Sequence, residues 1–165
     1  MGVKKEIPDV RAIVVGDGPE RERLMMMAKA LNLKKNVVFT GFLPYERVIA
    51  LMKASKVFVL PSRREGFGMV VLEAMASGLP VVTLNTPMNA ARFLVENGRG
   101  GVVVEENKFG RALMSLLVGE ALRRKMGKRT KGSRSVADGR GQPTYGWRRL
   151  SVPTLRYTKP CSSAF

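Results

Sequence analysis

Residues 60–83 read LPSRREGFGMVVLEAMASGLPVVT, and this stretch contains the local signals that decide the fold. An apolar run ends at Leu60 in a proline turn, and a glycine-containing bend at 66–68 leads into an apolar segment of helical spacing at 69–76. A Gly-Leu-Pro sequence stops that helix, and the β-branched residues 81–83 begin another strand. The stretch therefore predicts a strand, a glycine-containing loop, a helix and a second strand in succession.

The same alternation extends outward in both directions along the chain. Strands are predicted at 10–15, 37–40, 57–60, 81–83 and 101–104. Helices are predicted after Pro19, after Pro44 and at 69–76, 89–96, 108–118 and 120–127. Such alternation indicates an α/β fold, a Rossmann-like parallel sheet of about five strands with helices on both faces. Ligands bind such sheets beyond the carboxyl ends of the strands, so the candidate loops are 16–19, 41–44, 61–68 and 84–88.

The glycine-containing bend has the chemistry of an anion site. Glycines at 66 and 68 allow backbone amides to approach a ligand closely, and a helix N-terminus that follows such a loop favours negative charge. Glu65 lies in the loop and Glu73 inside the helix, so both carboxylates can face the same end of the sheet and accept hydrogen bonds from sugar hydroxyls. Two glutamates at this spacing are, taken alone, typical of a solvated surface.

Composition excludes several classes of function. The 165-residue length predicts one domain, and the chain contains no histidine and one cysteine, Cys161. Histidine-based catalytic triads, histidine-ligated metals and an internal disulfide are therefore excluded. The apolar runs are too short to span a bilayer, and the first residues lack the apolar stretch of a secretory signal. We therefore predict a cytoplasmic protein without a transmembrane segment, and peripheral membrane contact stays open.

The basic charge is concentrated near the C-terminus. Half of the net charge of +16 lies in residues 128–165, which show no period of two or 3.6 and are rich in Gly, Ser, Pro and Arg. This pattern predicts a folded domain over 1–127 and a basic tail over 128–165 that is disordered or foreign to the fold. Tyr145 and Trp147 among the arginines are compatible with single-strand binding. Nucleic acid is nevertheless the disfavoured partner.

The full string PSxxEGFGxVxLEAMAxGxPVV resembles the signature of the retaining GT-B glycosyltransferases, known as glycosyltransferase group 1 or family 4. The match extends through VVGDGPERERL, NVVFTGFLPYERVIALMKASKVFVLPS and NGRGGVVV, and covers about residues 10–127. The resemblance is to the C-terminal, donor-binding domain, which is one half of the GT-B fold. That domain normally opens with a strand and a loop carrying Arg and Lys, and nothing in MGVKKEIPDV resembles them. Residues 1–127 are therefore interpreted as an N-terminally incomplete nucleotide-sugar-binding domain.

The resemblance also implies roles for individual residues. Glu65 would be the catalytic residue, touching hydroxyls of the transferred sugar beside the reacting carbon, and Glu73 would bind the ribose. The remaining donor-binding positions are the amides of Gly66, Phe67, Gly68 and Met69, which face sugar and diphosphate, and Phe42, Leu43 and Arg47 near the base. No metal or cofactor is implied, because the nucleotide diphosphate-sugar is the substrate and helix amides stabilise its leaving group.

The implied reaction is transfer of a sugar from a nucleotide diphosphate-sugar to an unidentified acceptor, with retention of configuration. The family's acceptor site belongs largely to an N-terminal domain that this chain lacks, so the isolated chain is expected to be an incomplete enzyme. In addition, NTPMNAARFLV (85–95) stands where the family commonly shows a glycine pair and then a glutamate. The base and sugar of the donor are therefore not identified.

The sequence disfavours one other function and leaves two open. A dinucleotide oxidoreductase is disfavoured, because Arg21 stands where the third glycine of a G-x-G-x-x-G motif belongs and no acidic residue lies at 35–40. A GT-B sugar-nucleotide epimerase or phosphorylase stays open. So does a non-catalytic fragment that binds a nucleotide.

Overall fold

The computed structural model of the protein describes residues 2–95 and 100–132. The strands are β1 (Ala12–Val15), β2 (Val37–Gly41), β3 (Phe58–Leu60), β4 (Val81–Leu84) and β5 (Gly101–Val104). The α-helices are α1 (Val3–Glu6), α2 (Arg21–Ala30), α3 (Tyr45–Ala54), α4 (Met69–Ala76), α5 (Phe109–Val118) and α6 (Glu120–Gly132), with 3-10 turns at Ala90–Phe93 and Glu106–Lys108. The predictions made for the basic tail beyond residue 132 lie outside the described residues.

Local sequence signals account for most of these bounds. Helix α4 occupies the predicted residues 69–76, between Gly68 at φ +87° and Gly78 at φ +83°. Both glycines adopt the left-handed conformation that other residues resist. Helix α6 continues past the predicted end at 127 to Gly132, and buried Thr130 lies within this extension, its hydroxyl donating to the carbonyl of Gly127 at 2.8 Å. The predicted division at 127/128 therefore falls within a helix, and the nature of the tail stays a prediction.

All ladder pairing is parallel, which confirms the predicted α/β class. The five strands nevertheless form two sheets, β1–β2 and β3–β4–β5, where the sequence indicated one. In the described part of the chain, no strand pairs with the second edge of β1 or with the second edge of β3. A sheet is continuous only where each strand has a hydrogen-bonded neighbour. An apolar run predicts a strand but does not determine which strands pair with it.

The hydrophobic core surrounds β4. Val81 belongs to a cluster on one face of the three-stranded sheet that includes Val71 and Ala74 of α4 and Met52 of α3. Its neighbour Val82 belongs to a cluster on the other face, with Leu116 of α5 and Met126 of α6. Successive residues of a strand point to opposite faces, so these two clusters confirm that helices cover both faces. In the described ranges, no helix is long and apolar enough to cross a membrane.

The β1–β2 sheet contrasts with this core. The core clusters contain no residue of β1, α2 or β2, and every residue of β1 is exposed. Gly16, after β1, donates its amide to the carbonyl of Gly41 at 2.8 Å, which connects the loop after β1 to the last residue of β2. The first βαβ unit is therefore ordered by pairing, whereas the second sheet is ordered by pairing and burial.

Candidate functional site

Glu65 lies in the bend between β3 and α4, and its backbone is bound to the loop that follows β4. Its amide donates to the carbonyl of Met88 at 2.9 Å, and its carbonyl accepts from the amide of Ala90 at 2.9 Å, which forms a parallel bridge with Asn89. The side chain is half-buried. This pairing fixes the position of Glu65 at the carboxyl end of the three-stranded sheet.

Asn89 holds this second loop in place. Its side chain is fully buried, and its Nδ2 donates to Thr83 Oγ1 at 2.9 Å and to the carbonyl of Leu84 at 2.8 Å. Its Oδ1 accepts from the amide of Ala91 at 3.1 Å, which caps the 3-10 turn. Thr83 Oγ1 donates in turn to the carbonyl of Leu60 at 3.1 Å, so one buried network joins the ends of β3 and β4.

Asn89 was not among the residues predicted for the site. An asparagine directly before a short helical segment is a preferred N-cap, and this signal was available in NTPMNAARFLV. The signal predicts the cap on Ala91, but not the bonds to Thr83 and Leu84, because those depend on the neighbouring strand end.

The two glycines of the bend differ in their surroundings. Gly66 is exposed, and a Cβ placed on it would have no atom within 4 Å. Gly68 is buried, and a Cβ placed on it would lie 2.6 Å from the Cβ of Ala91. Gly68 therefore has a packing role in addition to its left-handed conformation, while Gly66 leaves its backbone open to a ligand.

Two amides at this bend, those of the exposed residues Gly66 and Met69, are available to an anion. The amide of Val71 donates to the carbonyl of Gly68 at 2.8 Å, which closes the first turn of α4. Among the residues with assigned positions, the amides of Gly66, Gly68 and Met69 donate to no recorded acceptor. Free amides at the start of a helix carry partial positive charge, so an anion there would be stabilised.

Glu73 is the fifth residue of α4. It follows Met69 by four residues, so the two lie on the same helix face about 6 Å apart along the axis. Its side chain is half-buried, at the border of the face that buries Val71 and Ala74. Within 2–95 and 100–132, neither the Glu65 nor the Glu73 carboxylate makes a recorded hydrogen bond or ion pair, so both can accept from a ligand.

Arg63, just before this bend, is already paired. Its guanidinium makes two hydrogen bonds to the Glu106 carboxylate, at 2.7 and 2.8 Å, and Thr86 Oγ1 donates to its carbonyl at 2.7 Å. The hydrogen bonds that Arg63 donates to Glu106, and the negative charge of Glu106, raise the pKa of Arg63 above its ordinary value. Arg63 therefore connects its own loop to Glu106 and to the loop after β4, and its neighbour Arg64 is exposed.

Of the residues predicted to contact the base, Phe42 and Leu43 lie in the loop after β2, and Arg47 lies in the first turn of α3. Phe42 is 81% exposed, Arg47 is exposed and Leu43 is half-buried. Helix α3, which follows this loop, packs against α4, and both helices start from the carboxyl ends of strands. Nothing recorded for the described residues bonds this loop directly to residues 65–73. The structure thus brings Glu65, the bend and Glu73 together. The residues predicted to contact the base lie just before the adjacent helix α3 or in its first turn.

The candidate site lies on an open surface at the carboxyl end of the three-stranded sheet. A cavity lies at the opposite end of that sheet. A cavity of about 340 Å³ opens at the amino ends of β3 and β4, where Lys56, Pro80, Glu120 and Arg123 contribute to its lining. Neither Glu65 nor Glu73 lines it. In the part of the chain that the structure describes, no three acidic or cysteine side chains converge to hold a metal ion.

Comparison with known proteins places these features in a family. Over 68 residues the chain is 50% identical to the 2-deoxystreptamine N-acetyl-D-glucosaminyltransferase of Streptomyces fradiae, a match that covers 41% of this chain and 16% of that protein. The chain spans between 16% and 28% of the length of the first two curated relatives that it matches.

Solved structures of glycosyltransferases share the fold. The C-terminal domain of LpcC, a glycosyl transferase group 1 family protein of Francisella tularensis, is 27% identical with a TM-score of 0.69, and the match covers 79% of this chain and 70% of that domain. Anabaena HepE, solved in complex with UDP-glucose, is 28% identical with a TM-score of 0.67, and the match covers 76% of this chain and 36% of HepE.

The family model agrees with the motif and with the fold. The model described as glycosyl transferases group 1 matches residues 2–133, which include both sheets and all six α-helices. A strand, a glycine-containing bend with Glu65, and a helix with Glu73 lie at the centre of that range. The chain therefore belongs to the group 1 family of GT-B glycosyltransferases.

Proposed function

We propose that this chain is the donor-binding part of a retaining glycosyltransferase and holds a nucleotide diphosphate-sugar at the bend between β3 and α4. The supporting observation is the combination of a backbone-anchored Glu65, open amides at Gly66 and Met69, and an unpaired Glu73 one helical turn further on. Amides suit a diphosphate, and carboxylates suit the hydroxyl groups of sugars.

In the proposed reaction, Glu65 accepts hydrogen bonds from the transferred sugar and orients its anomeric carbon. The bond between that carbon and the diphosphate oxygen breaks, and the acceptor oxygen attacks from the same face. The acceptor's proton passes to the departing phosphate. The amides of Gly66 and Met69 and the α4 dipole stabilise the charge that develops on this leaving group, and fixed positioning supplies much of the remaining rate enhancement.

The role of Glu73 can be tested by nucleotide binding. Glu73→Ala removes the acceptor of the ribose hydroxyls, so we expect UDP to bind roughly 10-fold more weakly, the usual effect of losing a hydrogen bond to a charged group. Isothermal titration of the full chain with UDP, GDP and ADP measures this effect and the preferred base. HepE, solved with UDP-glucose, makes UDP the first choice.

Glu120→Ala is the matched control for this experiment. Glu120 is also a helical glutamate, but it pairs with Arg124 at 2.7 Å and lines the cavity at the amino ends of the strands. Its removal should leave nucleotide affinity unchanged. Equal affinities of the Glu73→Ala and parent chains would refute the ribose assignment.

Binding without transfer is the second candidate function for the isolated chain. The observation that favours it is length, since the first two curated relatives are matched over only 16% and 28% of their residues. We expect the purified chain to release no labelled sugar to any acceptor tested, even where it binds the nucleotide. Steady turnover by the purified chain would contradict this expectation and support a complete enzyme.

A further inference from the structure

The cavity at the amino ends of β3 and β4 has a strongly basic lining. Among the described residues around its volume of about 340 Å³, Glu120 is the only acidic one, and four are basic: Lys56, Arg123, Arg124 and Lys128. The cavity lies beyond the C-terminal end of α4, whose N-terminal end follows the bend, so the length of the helix, about 12 Å, separates the two. The cavity is therefore distinct from the site proposed for the donor.

Close packing between α6 and the loop after α4 positions these cations. A Cβ placed on Gly127 would lie 2.5 Å from the carbonyl oxygen of Gly78, so the helix approaches that loop closely only because residue 127 has no side chain. One turn earlier, Nη1 of Arg123 donates to the carbonyls of Leu116 and Leu117, each at 2.6 Å. The basic residues of α6 are thus presented by a helix that is fixed against both α5 and the sheet.

Two of the four cations have no partner. Arg124 pairs with Glu120 at 2.7 Å, and Arg123 is bonded to the carbonyls of α5. Lys56 and Lys128 are exposed, and neither makes a recorded hydrogen bond or ion pair within 2–95 and 100–132. Lys128 also follows Arg124 by four residues, a spacing at which like charges destabilise a helix. An anion in the cavity would offset this excess of positive charge.

The lysines are not needed to cap the C-terminal end of α4. Cations are favoured at such ends, because they offset the negative end of the helix dipole. Here the amides of Ser77, Gly78 and Leu79 already donate to carbonyls in the last turns of α4, at 2.9 to 3.0 Å. No recorded bond joins a lysine of the described ranges to those carbonyls. The unpaired charge therefore suits a bound ligand better than a role in capping.

Phosphate matches this arrangement better than a carboxylate does. A phosphate monoester carries a charge of about −1.5 to −2 near neutral pH and has three strong acceptor oxygens, so one group can satisfy lysines on two different elements. The cavity volume of about 340 Å³ is in the range of small-molecule sites, roughly 300–1,000 Å³, and leaves room for the rest of an ester. We propose that this cavity is a second anion site, in which Lys56 and Lys128 bind the phosphate group of a monoester.

The test follows amide chemical shifts of the full 165-residue chain during titration with inorganic phosphate at constant ionic strength. Because each amide is observed separately, the shifts locate the bound phosphate. The amides of Lys56, Gly78 and Lys128 should move together and reach saturation. Phosphate at the bend would instead move the amides of Gly66 and Met69, so the result does not depend on the proposed donor site.

Two double variants separate a defined site from general charge attraction. Lys56→Gln/Lys128→Gln should weaken phosphate binding by roughly 10-fold, the combined effect of two exposed charge contacts. Its matched control is Lys53→Gln/Lys125→Gln, which removes the same charge from exposed residues on α3 and α6 that do not line the cavity. The control should weaken binding by less than about 2-fold, because salt screens more distant charges. All four lysines lie outside the core clusters, so both variants should fold, and the dispersion of their spectra checks this.

Equal weakening by the two double variants would overturn the proposal, since it would show only diffuse attraction. Shifts that do not saturate, or that occur only at the bend, would also overturn it.

A second arm identifies the source of the phosphate group, with glycerol phosphate as a soluble ester and vesicles of phosphatidylcholine and phosphatidic acid as a lipid surface. Sedimentation with vesicles that only Lys56→Gln/Lys128→Gln abolishes assigns the site to a lipid headgroup. Any other vesicle result, together with glycerol phosphate bound in the cavity, assigns it to a soluble ester. If neither binds in the cavity, the monoester class is wrong even where inorganic phosphate binds.

Discussion

The unit β1–α2–β2 and the unit β3–β4–β5 have similar sequence patterns but differ in burial. Both contain short β-branched strands followed by helices, and both pair in parallel. All four residues of β4 are buried, whereas all four residues of β1 are exposed. The difference arises because β4 has a strand on each edge and helices on each face, while β1 has one strand and no core cluster. An apolar run thus specifies a strand, and its neighbours determine how much that strand contributes to stability.

Two leucines provide the largest expected contrast between the units. Leu116 in α5 is fully buried, and Leu24 in α2 is 38% exposed. Leu116→Ala should lower the free energy of unfolding by about 2–5 kcal/mol, because it leaves a cavity in the core. Leu24→Ala should change it by less than about 1 kcal/mol. Urea denaturation measures both, and equal losses would show that the first unit is buried in solution.

The two glycines at the bend should differ in how much each contributes to stability. Gly68→Ala should lower the free energy of unfolding by roughly 1–3 kcal/mol, because the left-handed backbone and the contact with Ala91 both oppose a side chain. Gly66→Ala should be close to neutral for stability. Thermal unfolding of the two variants gives the difference, and a neutral Gly68→Ala would mean that the bend is not packed against Ala91.

Two asparagines provide a smaller contrast between the units. Asn89 is fully buried, and Asn36 is 7% exposed with its Nδ2 donating to the carbonyls of Pro8 and Val10 at 2.8 and 2.9 Å. Asn89→Ala leaves several polar groups unpaired in the core and should cost about 1–3 kcal/mol. Asn36→Ala should cost less, because water can reach its partners in the first unit. Chemical denaturation compares the two, and the reverse order would contradict the burial difference.

Much of the fold could be predicted from local sequence. The five strands lie within two residues of their expected bounds, and α4 has the expected ones, because β-branched runs, prolines and glycines act over a few residues. The short helix α1 was not predicted, since four residues carry little periodic signal. The division into two sheets was also not predicted, because it depends on which edges find partners.

Part of the candidate site could likewise be predicted from the sequence, and part could not. The order of Glu65, the glycine bend and Glu73 along a loop and helix follows from sequence, and their assigned roles in binding stay predictions. The bridge between Glu65 and Asn89 could not be predicted, because it joins loops that follow different strands. Likewise, the pairing of Arg63 with Glu106 spans 43 positions in the chain.

Because of the bridge at Glu65, the loop after β4 also determines the position of that glutamate. Residues 85–88 connect β4 to the anchor at Asn89, and the carbonyl of Met88 holds the Glu65 amide. A change in loop length or bulk there would tilt the glutamate while leaving its chemistry intact. Directed evolution aimed at the proposed donor preference would therefore vary these four positions and retain the acidic group itself.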